Sequence, residues 1–203
     1  MSMKLVLASN NAKKLVELQA LFAPLGITLV TQGSLGIPEA EEPFDSFVEN
    51  ALAKARHAAR LSGLPALADD SGVSVDALGG APGVRSARYA LDAGGEKSDA
   101  ANNQRLLREL ATVADRRARF VCALVAVRSP EDPEPLIAMG RWMGEILTAP
   151  DGDGGFGYDP LMHIPALGKT VASLDAEVKN RHSHRALAAA QLIDQFREAW
   201  HLG

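Results

Sequence analysis

Residues Ala118 to Arg128 constrain the fold of this chain more than any other stretch. At their centre Phe120-Val-Cys-Ala-Leu-Val-Ala-Val127 is apolar throughout, with no glycine or proline to interrupt a strand. The turn-forming stretch Pro130 to Pro135 follows, so 118–128 and 136–148 read as a long antiparallel hairpin. Other strands are joined through helices. Lys4 to Ala8 reads as a short buried strand ended by Ser9-Asn10-Asn11. Leu15, Leu18, Leu21 and Phe22 then recur at helical spacing up to the stop at Pro24-Leu-Gly26. A sheet that contains both kinds of connection is mixed, not purely doubly wound.

The remaining pattern fits an α/β chain. Ile27 to Thr31 is a second strand. Ser46 and Glu49 have capping-box spacing ahead of a helix that runs to about Ser62-Gly63. Ala66 to Ala68 is apolar and ends in Asp69-Asp70-Ser71-Gly72, and Gly79 to Gly83 is a loop. A helix falls near 99–111, and a glycine loop covers Asp151 to Asp159. Ile193, Phe196 and Trp200 mark the apolar face of a last helix that starts near Ser183. No repeat or linker interrupts the 203 residues, so a single domain over 1–203 is expected.

Composition narrows the function classes. A chain of this length buries roughly 70% of the surface its unfolded form exposes, so it needs no staples. With 47% apolar and 23% charged residues it is not disordered. The net charge of −4 disfavours bulk nucleic-acid binding through phosphates, but leaves room for a small anion in a local basic pocket. The one cysteine, Cys122, excludes an internal disulfide and a four-cysteine zinc site, and fits a reducing compartment. No apolar run approaches the ~18 residues of a membrane span. The first residues lack the pattern of a signal peptide. The expectation is a cytoplasmic protein with no membrane partner.

Four stretches carry chemistry. Ser9-Asn10-Asn11-Ala12-Lys13-Lys14 lies where a strand hands over to a helix, and the free N–H groups there suit an anion. The plain alternative is a helix cap with solvated lysines. Asp69-Asp70-Ser71-Gly72 offers adjacent carboxylates at a strand end. They suit Mg²⁺ or the activation of a water, and the alternative is an ordinary turn. The acidic loop Glu39, Glu41 and Glu42 offers further oxygen ligands, or is a solvated loop. Gly152-Asp-Gly154-Gly-Phe-Gly157 matches a dinucleotide fingerprint literally, but Tyr158-Asp159-Pro160 opens no helix. That fingerprint is rejected in favour of a loop presenting Phe156 to a planar base. Lys179-Asn-Arg181-His182-Ser183-His184-Arg185 places cations at the start of the last helix, where the dipole disfavours them unless an anion is near.

Taken in order, five stretches resemble one family, the inosine/xanthosine triphosphate pyrophosphatases or Ham1-like enzymes. They are Leu7 to Lys14, Phe47 to Ala55, Ala68 to Tyr89, Gly154 to Pro160 and Lys179 to Arg185. The resemblance implies hydrolysis of ITP, dITP and XTP to the monophosphate and pyrophosphate with Mg²⁺. It implies an elongated, two-lobed α/β fold around a long central mixed sheet flanked by helices, usually as a homodimer. By the same resemblance Ser9, Asn10, Asn11, Ala12, Lys13 and Lys14 fall on the triphosphate turn. Asp70 falls on the water-activating carboxylate, which also serves the metal, Ser71 on a substrate contact and Glu41 on an acidic metal position. Phe156, Gly157, Tyr158 and Asp159 fall on the nucleoside loop, and Lys179, His184 and Arg185 on the base-recognition set. Pro43-Phe44 replaces small polar residues usual in the family, which leaves Glu42 as an alternative to Glu41. His182 and Ala186 also depart from the pattern, as does Leu161-Met-His163. A Maf-like pyrophosphatase with another base preference, or a nucleotide sensor without chemistry, remains the competing expectation.

Overall fold

The computed structural model describes residues 3–202. The chain opens with β1 (Met3–Leu7), α1 (Ala12–Phe22) and β2 (Ile27–Thr31). Next come α2 (Phe47–Ser62), β3 (Ala66–Val75), α3 (Asp99–Glu109) and the hairpin of β4 (Arg117–Val127) and β5 (Leu136–Ile146). It ends with β6 (Met162–Ile164), β7 (Lys169–Thr170), α4 (Ala176–His182) and α5 (His184–Ala199). Among the described residues the strands form one seven-stranded sheet, in the order β2-β1-β3-β4-β5-β6-β7. β1 runs parallel to both β2 and β3, whereas β5 with β6 and β6 with β7 are antiparallel. The sheet is mixed, as the connections require.

Local chemistry sets the helix ends. Asn11 is extended and its side-chain oxygen accepts from the Lys13 and Lys14 N–H groups, which caps α1. Gly26, at φ 68°, takes the left-handed turn that follows. In α2 the Ser46 Oγ accepts from the Glu49 N–H and donates to the Glu49 carboxylate at 2.6 Å. Ser46→Ala is expected to cost about 1 kcal/mol, the usual value of such a cap. A urea midpoint equal to that of the parent protein would contradict it.

The chain divides into two compact units. One takes in the described residues up to Asp70, Cys122–Gly140, and those from Ser183 onward; the other comprises Ser71–Val121 and Arg141–His182. The chain crosses between them inside β3, β4 and β5, and once more at Ser183 between α4 and α5.

In the first unit strand parity sorts side chains into two layers. Leu5, Leu7, Leu67, Cys122, Leu124 and Ala126 pack with Leu18 and Phe22 of α1 and with Ala188, Ala189, Leu192 and Phe196 of α5. Their neighbours Val6, Ala8, Ala66, Ala68, Ala123, Val125 and Val127 pack with Ala51, Ala55, Ala58 and Ala59 of α2. The alanines recur at helical spacing and form one smooth stripe. In the second unit Val73, Val75, Leu106, Phe120, Trp142 and Ile146 build a separate core with Leu161, Met162 and Ile164.

Three features differ from the sequence expectation. Asp69-Asp70-Ser71-Gly72 is neither a strand end nor a turn, because β3 continues through it to Val75. Gly72 permits this: a Cβ there would lie 2.5 Å from the Gly83 carbonyl oxygen and collide with Ser86 Oγ. The short strands β6 and β7 have too few residues to show a period. Finally, Lys179, Arg181 and His182 lie in the last turn of α4, not at the start of the last helix. There the dipole favours cations. Ser183, with extended backbone, separates the helices and caps α5 by accepting from the Ala186 N–H at 3.1 Å.

Candidate active site

In the first unit the carboxyl end of β1, at the Ser9 turn, lies beside the parallel stretch Ala66-Leu67 of β3, just ahead of Asp69-Asp70. The Ala8 N–H donates to the Leu67 carbonyl at 2.8 Å, which fixes the turn beside the aspartates. Such strand ends are the usual ligand position in open α/β sheets. Within the turn Ser9 Oγ accepts from the Asn11 N–H at 3.1 Å. The Asn10 side chain accepts from the Gly33 N–H at 2.9 Å and donates to Glu39 at 3.4 Å. The cap expected as the plain alternative is therefore present at Asn11. Asn10 ties the turn to the acidic loop. Ala12 and Lys13 are exposed in the first turn of α1.

Consecutive in sequence, Asp69 and Asp70 have opposite surroundings, because residues i and i+1 of a strand face opposite sides. Asp69 points into the α1 and α5 layer and is 1% exposed. Lys14 Nζ donates to it at 2.6 Å, Arg185 Nε at 2.7 Å and the Cys122 thiol at 3.3 Å. Burial pushes the Asp69 pKa up, but Arg185 and Lys14 outweigh burial and hold it well below the ordinary carboxylate value. Burial, with Asp69 alongside, raises the Cys122 thiol well above its usual value, so it stays protonated and donates. Arg185 is 1% exposed and also donates to Glu17 at 2.5 Å.

Asp70 points into the α2 layer. Lys54 Nζ donates to its Oδ1 at 2.8 Å, to Glu42 Oε1 at 2.6 Å and to the Asp69 carbonyl at 3.0 Å. The second oxygen of Asp70, Oδ2, is buried without a hydrogen-bond partner. Burial raises the Asp70 pKa. Lys54 opposes the shift and Glu42 adds to it, and the net direction is upward. Lys54 itself is pushed down by burial and more than restored by Asp70 and Glu42, so it remains cationic.

The two glutamates of the acidic loop have different surroundings. Glu42 shares Lys54 with Asp70, whereas Glu41 is exposed. The structure thus brings Glu42, the alternative to Glu41, to Lys54 and Asp70.

In the second unit the glycine loop is built around Asp159. This residue is 4% exposed, and its Oδ2 accepts from the Phe156 N–H at 3.0 Å and from Lys179 Nζ at 2.9 Å. The Lys179 ammonium also sits 4.8 Å from the centroid of the half-buried Phe156 ring. Gly155, at φ 75°, makes room for the Asp159 carboxylate, with which any Cβ would collide. Asp99 accepts from the Gly157 N–H at 2.7 Å, and the Tyr158 hydroxyl donates to the Ser86 carbonyl at 2.8 Å. Ser71 opens this unit and is half-buried.

Of the expected base-recognition set, Lys179 joins Phe156 and Asp159. Arg185 instead joins Asp69 and Glu17 in the first unit, and His184 is buried at the start of α5. The sequence offers Asp69 only as one of two adjacent carboxylates, and it gives no role to Glu17 or Lys54. A signal existed. Lys54 falls on the α2 stripe that Ala51, Ala55 and Ala58 otherwise fill, and Arg185 falls on the α5 stripe of Ala188, Ala189, Leu192 and Phe196. A cation on an apolar stripe needs buried carboxylates.

The arrangement defines a class: a mixed α/β protein with a polar strand-to-helix turn and two carboxylates sorted to opposite faces of the adjacent parallel strand. Residues 5–195 match the Ham1 family, and the chain belongs to that family. It is 67% identical over 211 residues to the dITP/XTP pyrophosphatase of Leptothrix cholodnii, covering 98% of this chain and 100% of that protein. It is 66% identical over 194 residues to the dITP/XTP pyrophosphatase of Ralstonia nicotianae, covering 96% of each. The solved structure of a HAM1 protein from Coxiella burnetii superposes with a TM-score of 0.88 at 46% identity. That match covers 97% of this chain and 100% of the other.

Proposed function

We propose that this chain hydrolyses the non-standard purine nucleoside triphosphates ITP, dITP and XTP to the monophosphate and pyrophosphate. The observation that carries this reading is nearly full-length identity of 66–67% to two proteins named dITP/XTP pyrophosphatases. Those names also favour it over a Maf-like specificity or a sensor.

In the first unit the Ser9–Lys14 turn receives the phosphates, through its polar side chains and the charge of Lys14. Asp70 takes the role of general base. Its raised pKa makes it a better proton acceptor than an ordinary aspartate, and its unpartnered Oδ2 is the oxygen that meets the water. Lys14, anchored by Asp69, faces the negative charge that develops as pyrophosphate leaves.

A hard divalent cation fits these residues. Asp70 and Glu42 supply oxygen ligands, and one Asp70 oxygen lacks a protein partner. Mg²⁺ takes one or two carboxylates and completes its shell with water and phosphate. When bound, the ion neutralises phosphate charge. In the second unit Phe156 is the aromatic face for the base. Lys179 is a donor suited to the 6-oxo group of hypoxanthine or xanthine and unsuited to the 6-amino group of adenine. A homodimer and a cytoplasmic location complete the proposal. Among the described residues no helix is long and apolar enough to cross a membrane.

The test is pyrophosphate release with Mg²⁺ across ITP, dITP, XTP, dUTP, m7GTP, GTP and ATP, repeated in ¹⁸O water. We expect ITP, dITP and XTP to lead the panel, with label in the monophosphate or the pyrophosphate. Label in orthophosphate, or a flat panel, would overturn the reading.

A further inference from the structure

Lys54 is placed where a metal-binding pair of carboxylates would least welcome it. Its ammonium lies 2.6 Å from Glu42 Oε1 and 2.8 Å from Asp70 Oδ1, and its side chain is only 12% exposed. Asp70 is 7% exposed, and its remaining oxygen has no partner. The lysine therefore supplies the positive charge that the buried Asp70 and the half-buried Glu42 share. We infer that Lys54 is a built-in counter-cation: it holds Asp70 and Glu42 together in the metal-free protein, and a divalent ion must displace it from Asp70. The inference rests on the proposal that Asp70 and Glu42 are the metal carboxylates.

Charge counting gives the consequence. Asp70 and Glu42 carry −2 and Lys54 carries +1, so the trio sums to −1. A bare divalent ion takes that sum to +1 in a buried setting, which is unfavourable. The phosphate oxygens of an ion–polyphosphate complex offer the displaced ammonium new acceptors, which a bare ion does not. Lys54 thus makes the empty protein a poor binder of the free ion and biases uptake toward the ion–polyphosphate complex. It acts as a positioning residue, through the carboxylates.

Bare Mn²⁺ is the probe, with the free ion followed by electron paramagnetic resonance and no nucleotide present. Lys54→Met removes one positive charge a few ångströms from the site. It is expected to tighten Mn²⁺ by about tenfold or more, since unit charges at that range interact strongly even when partly screened. Lys54→Arg keeps the charge and should bind like the parent protein. Adding Asp70→Asn to Lys54→Met should abolish the gain. Unchanged or weaker affinity in Lys54→Met, with Mn²⁺ binding still sensitive to Asp70→Asn, would overturn the inference alone. Mn²⁺ binding indifferent to Asp70→Asn would overturn the metal assignment and the inference with it. A measurement on the unaltered protein guards against a variant that fails to fold. Acetic anhydride labelling read by mass spectrometry should modify Lys54 more in saturating Mn²⁺ than without it, and equal or lower labelling would overturn the displacement.

Discussion

Asp70→Asn lowers kcat by about 10²–10⁴-fold while nucleotide still binds, the range expected when a positioned acid–base group is lost. The amide oxygen can still accept from Lys54, and the shape is nearly unchanged, so the α2 layer has no reason to collapse. What disappears is the proton acceptor at the oxygen that the protein leaves unpartnered. The parent enzyme should also show an acid limb in kcat/KM. The base works deprotonated, so the rate falls as pH drops through the Asp70 pKa. Burial and Glu42 place that pKa above the ordinary aspartate value. Stopped assays of pyrophosphate release across pH, with nucleotide binding measured in parallel, decide the matter. A variant that keeps the parental kcat at neutral pH would remove Asp70 from the chemistry.

Arg185→Ala has its largest effect on stability, about 3–5 kcal/mol, the range for breaking a buried ion pair by removing one partner. The substitution deprives Asp69, 1% exposed, of its largest stabilising charge and leaves Glu17 without its 2.5 Å guanidinium contact. The sign of the pH dependence follows. Asp69 in the folded protein has a pKa below its unfolded value of about 3.9. It therefore contributes stability that is fully present above that value and is lost as pH falls toward the folded pKa. The gap between parent and variant should be widest near neutrality and narrow below about pH 4. Urea unfolding at pH 7, 5 and 3 measures this. A variant with the parental midpoint at pH 7 would show that the Arg185–Asp69–Glu17 cluster carries no stability.

Much of this was legible from residue order. The hairpin was visible because its first strand is an uninterrupted apolar run and proline marks its turn. The Ser46–Glu49 cap was visible because its two partners lie three residues apart. Pairings between distant elements were hidden. Arg185 and Asp69 are 116 residues apart, and nothing in either neighbourhood names the other. The second weakness was turn chemistry. Asp-Ser-Gly reads as a turn, yet here the glycine serves a close backbone approach and the strand runs on. The third was the lysine–histidine stretch, which reads as the start of the last helix and instead ends a separate short helix before Ser183. Each miss came from tertiary packing overriding a local preference.

The extended course of β3 through the two aspartates has a consequence for how the chain tolerates change in length. The strand works as a two-sided ruler: odd and even marks open onto different helices. A single-residue insertion between Ala66 and Asp69 that kept the strand ladder would carry Asp70 to the side of Lys14 and Arg185, and Asp69 to the side of Lys54. Both carboxylates would survive in the sequence, and neither would have its proper neighbours. Two inserted residues would restore the sides while shifting both groups along the strand by about 7 Å. Neighbouring aspartates so placed give no redundancy, because neither can stand in for the other.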